Sequence, residues 1–85
     1  MLIIKRDGRK VPFDKTKISS AIERAYKHLG KSSDGVAEEI ATLIEFIIKE
    51  QDDIPTVELI QDWVEQRIMA YDPSVAKAYI LYREE

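Results

Sequence analysis

Residues 2–14 decide the fold of this chain and read LIIKRDGRKVPFD. Two short runs of β-prone residues, Leu2–Arg6 and Lys10–Phe13, flank an Asp7-Gly8 pair. Asp-Gly between such runs is typical of a β-hairpin, because a two-residue type I′ turn needs a positive φ angle at both central positions. The sequence therefore predicts an N-terminal two-stranded hairpin. A hairpin of this size is only marginally stable by itself, so it must pack against other elements.

Four helices are predicted after the hairpin. Each stretch has apolar residues at helical spacing, a capping residue in front of it and a helix breaker or polar connector behind it. The predicted segments are residues 14–30, 32–51, 56–68 and 72–82, with caps at Asp14, at Ser32, Ser33 or Asp34, at Thr56, and at Asp72 before Pro73. The sequence thus predicts a single α+β domain over residues 1–85, mostly α, in which the hairpin packs on a bundle of four helices.

The composition excludes several classes of protein. The 85 residues suffice for one domain, and their 45% hydrophobic content is too high for a disordered chain. There is no cysteine, which excludes disulfides and thiolate zinc sites and favours a reducing compartment. No apolar run is long enough to span a bilayer, and the N-terminus lacks the order of a signal peptide. The composition therefore predicts a cytoplasmic protein without a membrane partner.

The charges are unevenly distributed along the chain. The net charge of −3 argues against a nucleic-acid partner, but residues 1–17 carry six basic and only two acidic side chains. Lys5 on the first strand, with Lys15 and Lys17 at the start of the first helix, can converge on one triphosphate beside the positive end of the helix dipole. One alternative is that the basic hairpin is only a solvated surface, whose like charges discourage pairing of strand edges. Another is that Asp14 takes the anion role itself, while Lys15 and Lys17 point into water.

Three other features receive structural interpretations. His28 lies near a helix end, where the dipole favours its charged form, and nothing places a carboxylate behind it for a catalytic triad. Asp52 and Asp53 lack further ligands at the spacing of a calcium loop. The segment Gly30-Lys31-Ser32 resembles the end of a P-loop, but the first glycine of that motif is replaced by Ala25 inside a helix. We therefore predict no catalytic residue and no metal site in this chain.

Three blocks of the sequence resemble the ATP-cone family. Residues Ile4–Ile18 with Ala21-Ile22 are similar to its opening segment, Ile54–Glu65 to its third-helix signature, and Val75–Arg83 to its closing segment. The blocks stand in the family's order and span nearly the whole chain. The resemblance implies an allosteric module that binds ATP or dATP and controls the overall activity of ribonucleotide reductase, which supplies deoxyribonucleotides for DNA replication. In the family, ATP generally permits activity and dATP inhibits it, often by changing subunit assembly.

The resemblance also implies how the nucleotide is held. Lys5 and Lys17 would hold phosphates, Thr56 would add a hydroxyl at a helix start, and the apolar Ile3 and Ile22 would wall the base. Mg²⁺ would accompany the ATP or dATP effector. The catalytic domain or subunits of the reductase would be the partners, with effector-dependent oligomerisation. The implied nucleotide-binding residues are Lys5, Arg6, Val11, Pro12, Phe13, Asp14, Lys15, Thr16, Lys17 and Thr56.

The chain departs from the family pattern in two places. Val11 stands where a carboxylate often holds the ribose, and Glu84 and Glu85 stand where a basic residue is expected. The sequence ends where the catalytic barrel of a reductase would begin, so we expect an excised domain or a stand-alone cone. The pattern leans toward the anaerobic, glycyl-radical reductases.

Two other interpretations of the function remain open. One is the ATP-cone of a nucleotide-sensing transcriptional repressor of reductase genes, in which a cysteine-rich zinc ribbon should precede the cone. The other is a helical interaction module without a ligand, in which the basic hairpin is only a surface.

Overall fold

A computed structural model describes residues 1–83 of the chain. An antiparallel two-stranded hairpin comes first and four helices follow, which confirms the predicted, mostly helical α+β architecture. The elements are β1 (Leu2–Ile4), β2 (Lys10–Pro12), α1 (Lys15–His28), α2 (Val36–Glu50), α3 (Val57–Tyr71) and α4 (Pro73–Tyr82).

The turn of the hairpin differs from the predicted one. The N–H of Lys5 donates to the carbonyl of Arg9 at 2.8 Å, and the N–H of Gly8 donates to the carbonyl of Lys5 at 2.9 Å. Only Gly8, with a φ of 87°, is left-handed in this loop. The connection is therefore a three-residue loop, a type I turn closed by a left-handed glycine, and the predicted type I′ turn is wrong. Asp7 makes the difference, because its carboxylate accepts from the N–H and Nε of Arg9 at 3.1 and 2.6 Å and fixes the type I turn.

The hairpin packs on the start of α3. The N–H of Ile4 donates to the carbonyl of Pro55 at 2.9 Å, and Ile4 forms a parallel bridge with Thr56. On the inner side, the half-buried Ile3 and Phe13 pack against the helical core. These contacts supply the support that a hairpin of this size requires.

The end of α1 confirms the predicted stop at Gly30. This residue is left-handed, with a φ of 69°, and its N–H donates to the carbonyl of Lys27 at 2.9 Å. The N–H of Lys31 donates to the carbonyl of Tyr26 at 3.0 Å. The two bonds form a Schellman motif, which satisfies carbonyls at the helix end. The side chain of Lys31 donates to the carboxylate of Asp72 at 2.7 Å. The segment Gly30-Lys31-Ser32, which resembles the end of a P-loop, therefore ends α1 and forms an ion pair with the start of α4.

The start of α2 differs from the predicted one. None of residues 32–34 caps the helix; the capping position is Gly35, with a φ of 85° and no side-chain cap bond. Asp34 is also left-handed, with a φ of 49°. Two consecutive left-handed residues turn the chain before the helix begins, which directs the serines elsewhere. Ser33 is buried, and its hydroxyl donates to a carboxylate oxygen of Glu23 on α1 at 2.8 Å.

The core lies between the four helices. α1 packs against α2 and α4, and α3 packs against the same two helices. Every helix contributes a side chain that is almost completely excluded from solvent. The largest of these are Ile22, Ile40, Ile44, Val64, Ile68 and Val75. Within residues 1–83, no helix is long and apolar enough to cross a membrane.

Asp72 connects three helices. It caps α4 by accepting from the N–H of Ser74 at 3.0 Å, it follows α3 directly, and it pairs with Lys31 beyond α1. The hydrogen bond from Lys31, with the backbone bonds, holds the pKa of Asp72 below its usual value. A carboxylate with a depressed pKa stabilises the fold above its unfolded pKa of about 3.9, and this contribution is lost as the pH falls through the folded value.

We expect Asp72→Ala to lower the melting temperature near neutral pH by about 4–8 °C, because a helix cap and an ion pair are lost together. The difference from the wild type should shrink as the pH falls from about 4 through the lowered pKa of the folded Asp72, below which the carboxylate of the wild type is protonated. Thermal melts followed by circular dichroism from pH 7 to pH 2 measure both effects. Asp53→Ala, in the exposed α2–α3 connector, is the matched control. An equal loss in the two variants contradicts the role of Asp72.

Candidate functional site

A cleft of about 270 Å³ lies between the hairpin, α1, α3 and α4. Among the described residues that line it, none comes from α2. The volume is near the lower end of the range for small-molecule sites, and such sites are typically apolar with a few polar groups. The apolar lining residues are Ile3, Val11, Pro12, Phe13, Ile18, Ala21, Val57 and Ile60.

The charged groups of the cleft are mostly positive. Lys5, Lys17, Arg24 and Arg83 line it, and Asp14 is the one carboxylate among the described lining residues. No ion pair within residues 1–83 involves Lys5, Lys17 or Arg24. In a chain with a net charge of −3, this concentration of cations favours an anionic ligand at this place.

Helical periodicity positions most of these side chains. Lys17 and Arg24 are seven residues apart on α1, close to two full turns, so they lie on one face. Tyr79 and Arg83 are one turn apart at the end of α4. Burial raises the pKa of Tyr79 to about 12, so its hydroxyl stays protonated far above neutral pH. The cleft therefore combines cations with a neutral hydroxyl.

Asp14 already occupies part of the start of α1. Its carboxylate accepts from the N–H of Thr16 at 2.9 Å, and its carbonyl accepts from the N–H of Lys17 at 3.1 Å. A second anion at this helix start would therefore meet a negative group, as the alternative interpretation anticipated. The side chains of the cleft, more than the backbone of α1, supply its positive charge.

The structure brings together part of the predicted site. Six of the ten predicted residues line the cleft, and they all belong to the hairpin and the first turn of α1. The remaining four do not appear among the lining residues that the structure describes. The lining group is Lys5, Val11, Pro12, Phe13, Asp14 and Lys17, and the other group is Arg6, Lys15, Thr16 and Thr56.

Two residues of α1 fall outside the cleft for a geometric reason. Lys15 is two positions before Lys17, which places it about 200° around the helix. Its Nζ pairs with Glu38 of α2 at 2.9 Å, and this hydrogen bond raises the pKa of Lys15. Thr16 is exposed, and its carbonyl accepts from the hydroxyl of Ser19 at 3.1 Å.

Arg6 and Thr56 contact α3. The hydroxyl of Thr56 accepts from the N–H of Leu59 at 3.2 Å and caps this helix, as the sequence predicts. Arg6 donates from Nη2 to Oε1 of Gln61 at 3.1 Å. Because Gln61 itself lines the cleft, the guanidinium of Arg6 lies at its rim.

Two other expectations concern the apolar wall and a metal. Ile3 lines the cleft as expected, but Ile22 is completely buried in the core and is not among the lining residues. Within residues 1–83 there is no group of three or more His, Asp or Glu side chains placed to hold a metal ion. His28 contacts the Tyr82 ring at a centroid distance of 4.7 Å.

Four polar lining residues are not among those predicted from the sequence: Arg24, Gln61, Tyr79 and Arg83. Helical spacing was the available signal for Arg24, because it lies on the same face as Lys17. Arg83 provides a basic group one residue before Glu84, next to the position at which the family resemblance implies a basic residue. Glu84 and Glu85 lie outside the described residues.

Comparison with known proteins gives a consistent result. Residues 1–85 match the family model described as ATP cone domain. A vitamin B12-dependent ribonucleoside-diphosphate reductase of Thermoplasma acidophilum is 39% identical over 98% of this chain and 12% of its own length. The ribonucleoside-diphosphate reductase subunits alpha of Chlamydia muridarum and Chlamydia trachomatis are 39% and 40% identical, over 96% of this chain and 9% of theirs. The matched parts are N-terminal regions of these relatives. This chain spans about a tenth of their length.

Proposed function

Because this chain belongs to the ATP-cone family, we propose that its cleft binds ATP or dATP as an allosteric effector of a ribonucleotide reductase. One observation carries the proposal: four cations and one carboxylate line an otherwise largely apolar cleft. The apolar wall suits a nucleobase, and the cations suit a polyphosphate. The reduction of ribonucleotides would belong to the remainder of a reductase, since the relatives that carry this name are about ten times longer.

The proposed roles follow from the positions of the side chains. Lys5 and Lys17 hold phosphate oxygens from two sides of the cleft, one from the hairpin and one from α1. Val11 and Ile18 contact the base or the sugar from the apolar wall. We expect Mg²⁺ to arrive with the nucleotide, because this ion is commonly bound through phosphate oxygens and water with few protein carboxylates.

The regulatory output is part of the same proposal. ATP would permit activity and dATP would inhibit it, through the catalytic domain or subunits and through a change of assembly. The leaning toward the anaerobic enzymes remains a prediction, as the three relatives are a B12-dependent enzyme and two subunits alpha.

Calorimetric titration of the 85-residue chain tests the binding. We expect ATP and dATP with Mg²⁺ to bind, and AMP to bind at least about tenfold more weakly, because it lacks the phosphates that Lys5 and Lys17 hold. Added salt should weaken ATP binding through screening. A hundredfold excess of ATP over its Kd should raise the melting temperature by about ten degrees or more.

Two results would contradict this proposal. Equal affinities for ATP and AMP would show that the lysines do not hold a triphosphate. Absence of binding by ATP and dATP alike would favour the ligand-free interaction module.

A further inference from the structure

Tyr79 is a buried residue of α4 whose hydroxyl has no partner. Its ring belongs to the core and the residue is only 5% exposed, yet it lines the cleft. Within residues 1–83 the hydroxyl forms no hydrogen bond. Most buried polar side chains are hydrogen-bonded, because a buried donor without an acceptor costs free energy. This unpaired hydroxyl therefore points to a ligand.

The hydroxyl of Tyr79 opens into the cleft. Its oxygen is not one of the fully enclosed, unpaired polar atoms of residues 1–83, so it has access to open space. The cleft is the cavity that Tyr79 lines, while the ring packs with the buried residues of the core. A tyrosine often combines an apolar body with a polar tip in this way. A ligand in the cleft can therefore reach a hydroxyl whose ring is already fixed by packing.

This hydroxyl lies at the floor of the cleft. Among the described lining residues, only Ile60 and Tyr79 are buried, at 4% and 5% exposure. Lys17 and Arg24, in contrast, are exposed. Burial of a charge costs far more free energy than burial of an apolar or neutral group. A bound nucleotide would therefore keep its phosphates near the exposed cations and place its base toward the floor.

The floor offers the chemistry that a nucleobase edge requires. The pKa of Tyr79 is about 12, so its hydroxyl is protonated and can both donate and accept. Adenine presents ring nitrogens that accept and an amino group that donates. Gln61 is the other neutral polar side chain of the described lining, and its amide already contacts Arg6 and the carbonyl of Arg83. Tyr79 is thus the neutral polar group that can orient a base.

We propose that Tyr79 is the residue that recognises the base, through a hydrogen bond between its hydroxyl and the polar edge of the adenine of ATP or dATP. This inference rests on the proposed function, because it requires a nucleotide in the cleft. It gives the nucleotide an orientation. The base lies at the floor formed by Ile60 and Tyr79, and the phosphates lie toward Lys17 at the rim.

Calorimetric titration of Tyr79→Phe tests the contact, because this variant loses one hydroxyl and keeps the ring. ATP affinity should fall about three- to tenfold, the range for one neutral hydrogen bond. Affinities for dATP and for the 3′-deoxy analogue of ATP should fall by the same factor, since both carry adenine. Without ligand, the variant should melt at or above the wild-type temperature, because no hydrogen bond within residues 1–83 is lost.

A control variant and NMR of the complex complete the experiment. Tyr71→Phe removes a hydroxyl that donates to Glu39 away from the cleft, and it should keep the wild-type affinity. In the wild-type complex, nuclear Overhauser effects should connect the ring protons of Tyr79 with the adenine protons of ATP.

The outcomes separate the inference from the proposed function. If the wild type binds ATP but Tyr79→Phe binds it equally well, or if Tyr79 shows no Overhauser effect to adenine, the inference alone is wrong. A loss that is absent for either deoxynucleotide would assign the hydroxyl to the sugar and overturn the contact with the base. A clearly lower melting temperature of ligand-free Tyr79→Phe would show a structural role instead. Absence of ATP binding by the wild-type chain overturns the proposed function as well.

Discussion

Replacing Lys17 with alanine is expected to weaken ATP binding about ten- to a hundredfold, and Lys5→Ala should have an effect of the same size. Both side chains line the cleft, and one charge-assisted hydrogen bond to phosphate contributes about 1.5–3 kcal/mol. Within residues 1–83 neither lysine forms an ion pair, so both variants should melt near the wild-type temperature. Calorimetric titration with ATP measures the affinities.

Two other lysines serve as controls for this experiment. Lys49→Ala changes an exposed residue of α2, which contributes no described residue to the cleft, and should leave the Kd unchanged. Lys15→Ala should have a much smaller effect than Lys17→Ala, because Lys15 pairs with Glu38. If Lys15→Ala weakened binding as strongly as Lys17→Ala, the phosphates would lie on the other side of α1. Unchanged affinities in both Lys5→Ala and Lys17→Ala would move the site elsewhere.

The second large effect is expected for Ile44→Ala, which should lower the free energy of unfolding. Ile44 is completely buried in α2, and Ile44→Ala should cost about 2–5 kcal/mol because it leaves a cavity in the core. For a domain of this length the total free energy of unfolding is about 4–13 kcal/mol, so such a loss removes a large fraction of it. Urea denaturation should show a lower midpoint with a similar slope.

Phe46 offers a matched control on the same helix. It is 60% exposed, two positions after Ile44, so Phe46→Ala should change the stability by about 0.5 kcal/mol or less. ATP affinity should stay near wild type in both variants where the chain is folded, since α2 does not line the described cleft. Similar losses in the two variants would mean that the core does not lie where the structure places it.

The helices could be predicted from the sequence because their signals are local. Asp14, Thr56 and Asp72 cap α1, α3 and α4 through their own side chains, and Gly30 ends α1 by its positive φ angle. The start of α2 could not be predicted in this way. Its geometry depends on two left-handed residues, and the side chain of Ser33 is committed to Glu23 on another helix.

The cleft could be predicted only where its residues are consecutive in sequence. The hairpin and the first turn of α1 form one block, which the charge pattern and the resemblance both indicate. Within that block, a charge pattern cannot tell Lys17 from Lys15, because only the rotation of the helix separates the cleft from α2. Gln61 and Arg83 come from α3 and α4, and tertiary packing alone brings them to the cleft.

The bond between Ile4 and Pro55 joins segments that are far apart along the chain, with α1 and α2 between them. This separation has a consequence for the order of folding. The hairpin leaves the ribosome first, but the segment on which it docks emerges only after two further helices. Contacts of high sequence separation form late, because the intervening loop must be closed before they contribute. The packing of α1 on α4 also joins distant segments. We therefore expect the docking of the hairpin and this helix contact to be late events, so that the cleft, which these elements line, is among the last parts of the domain to form.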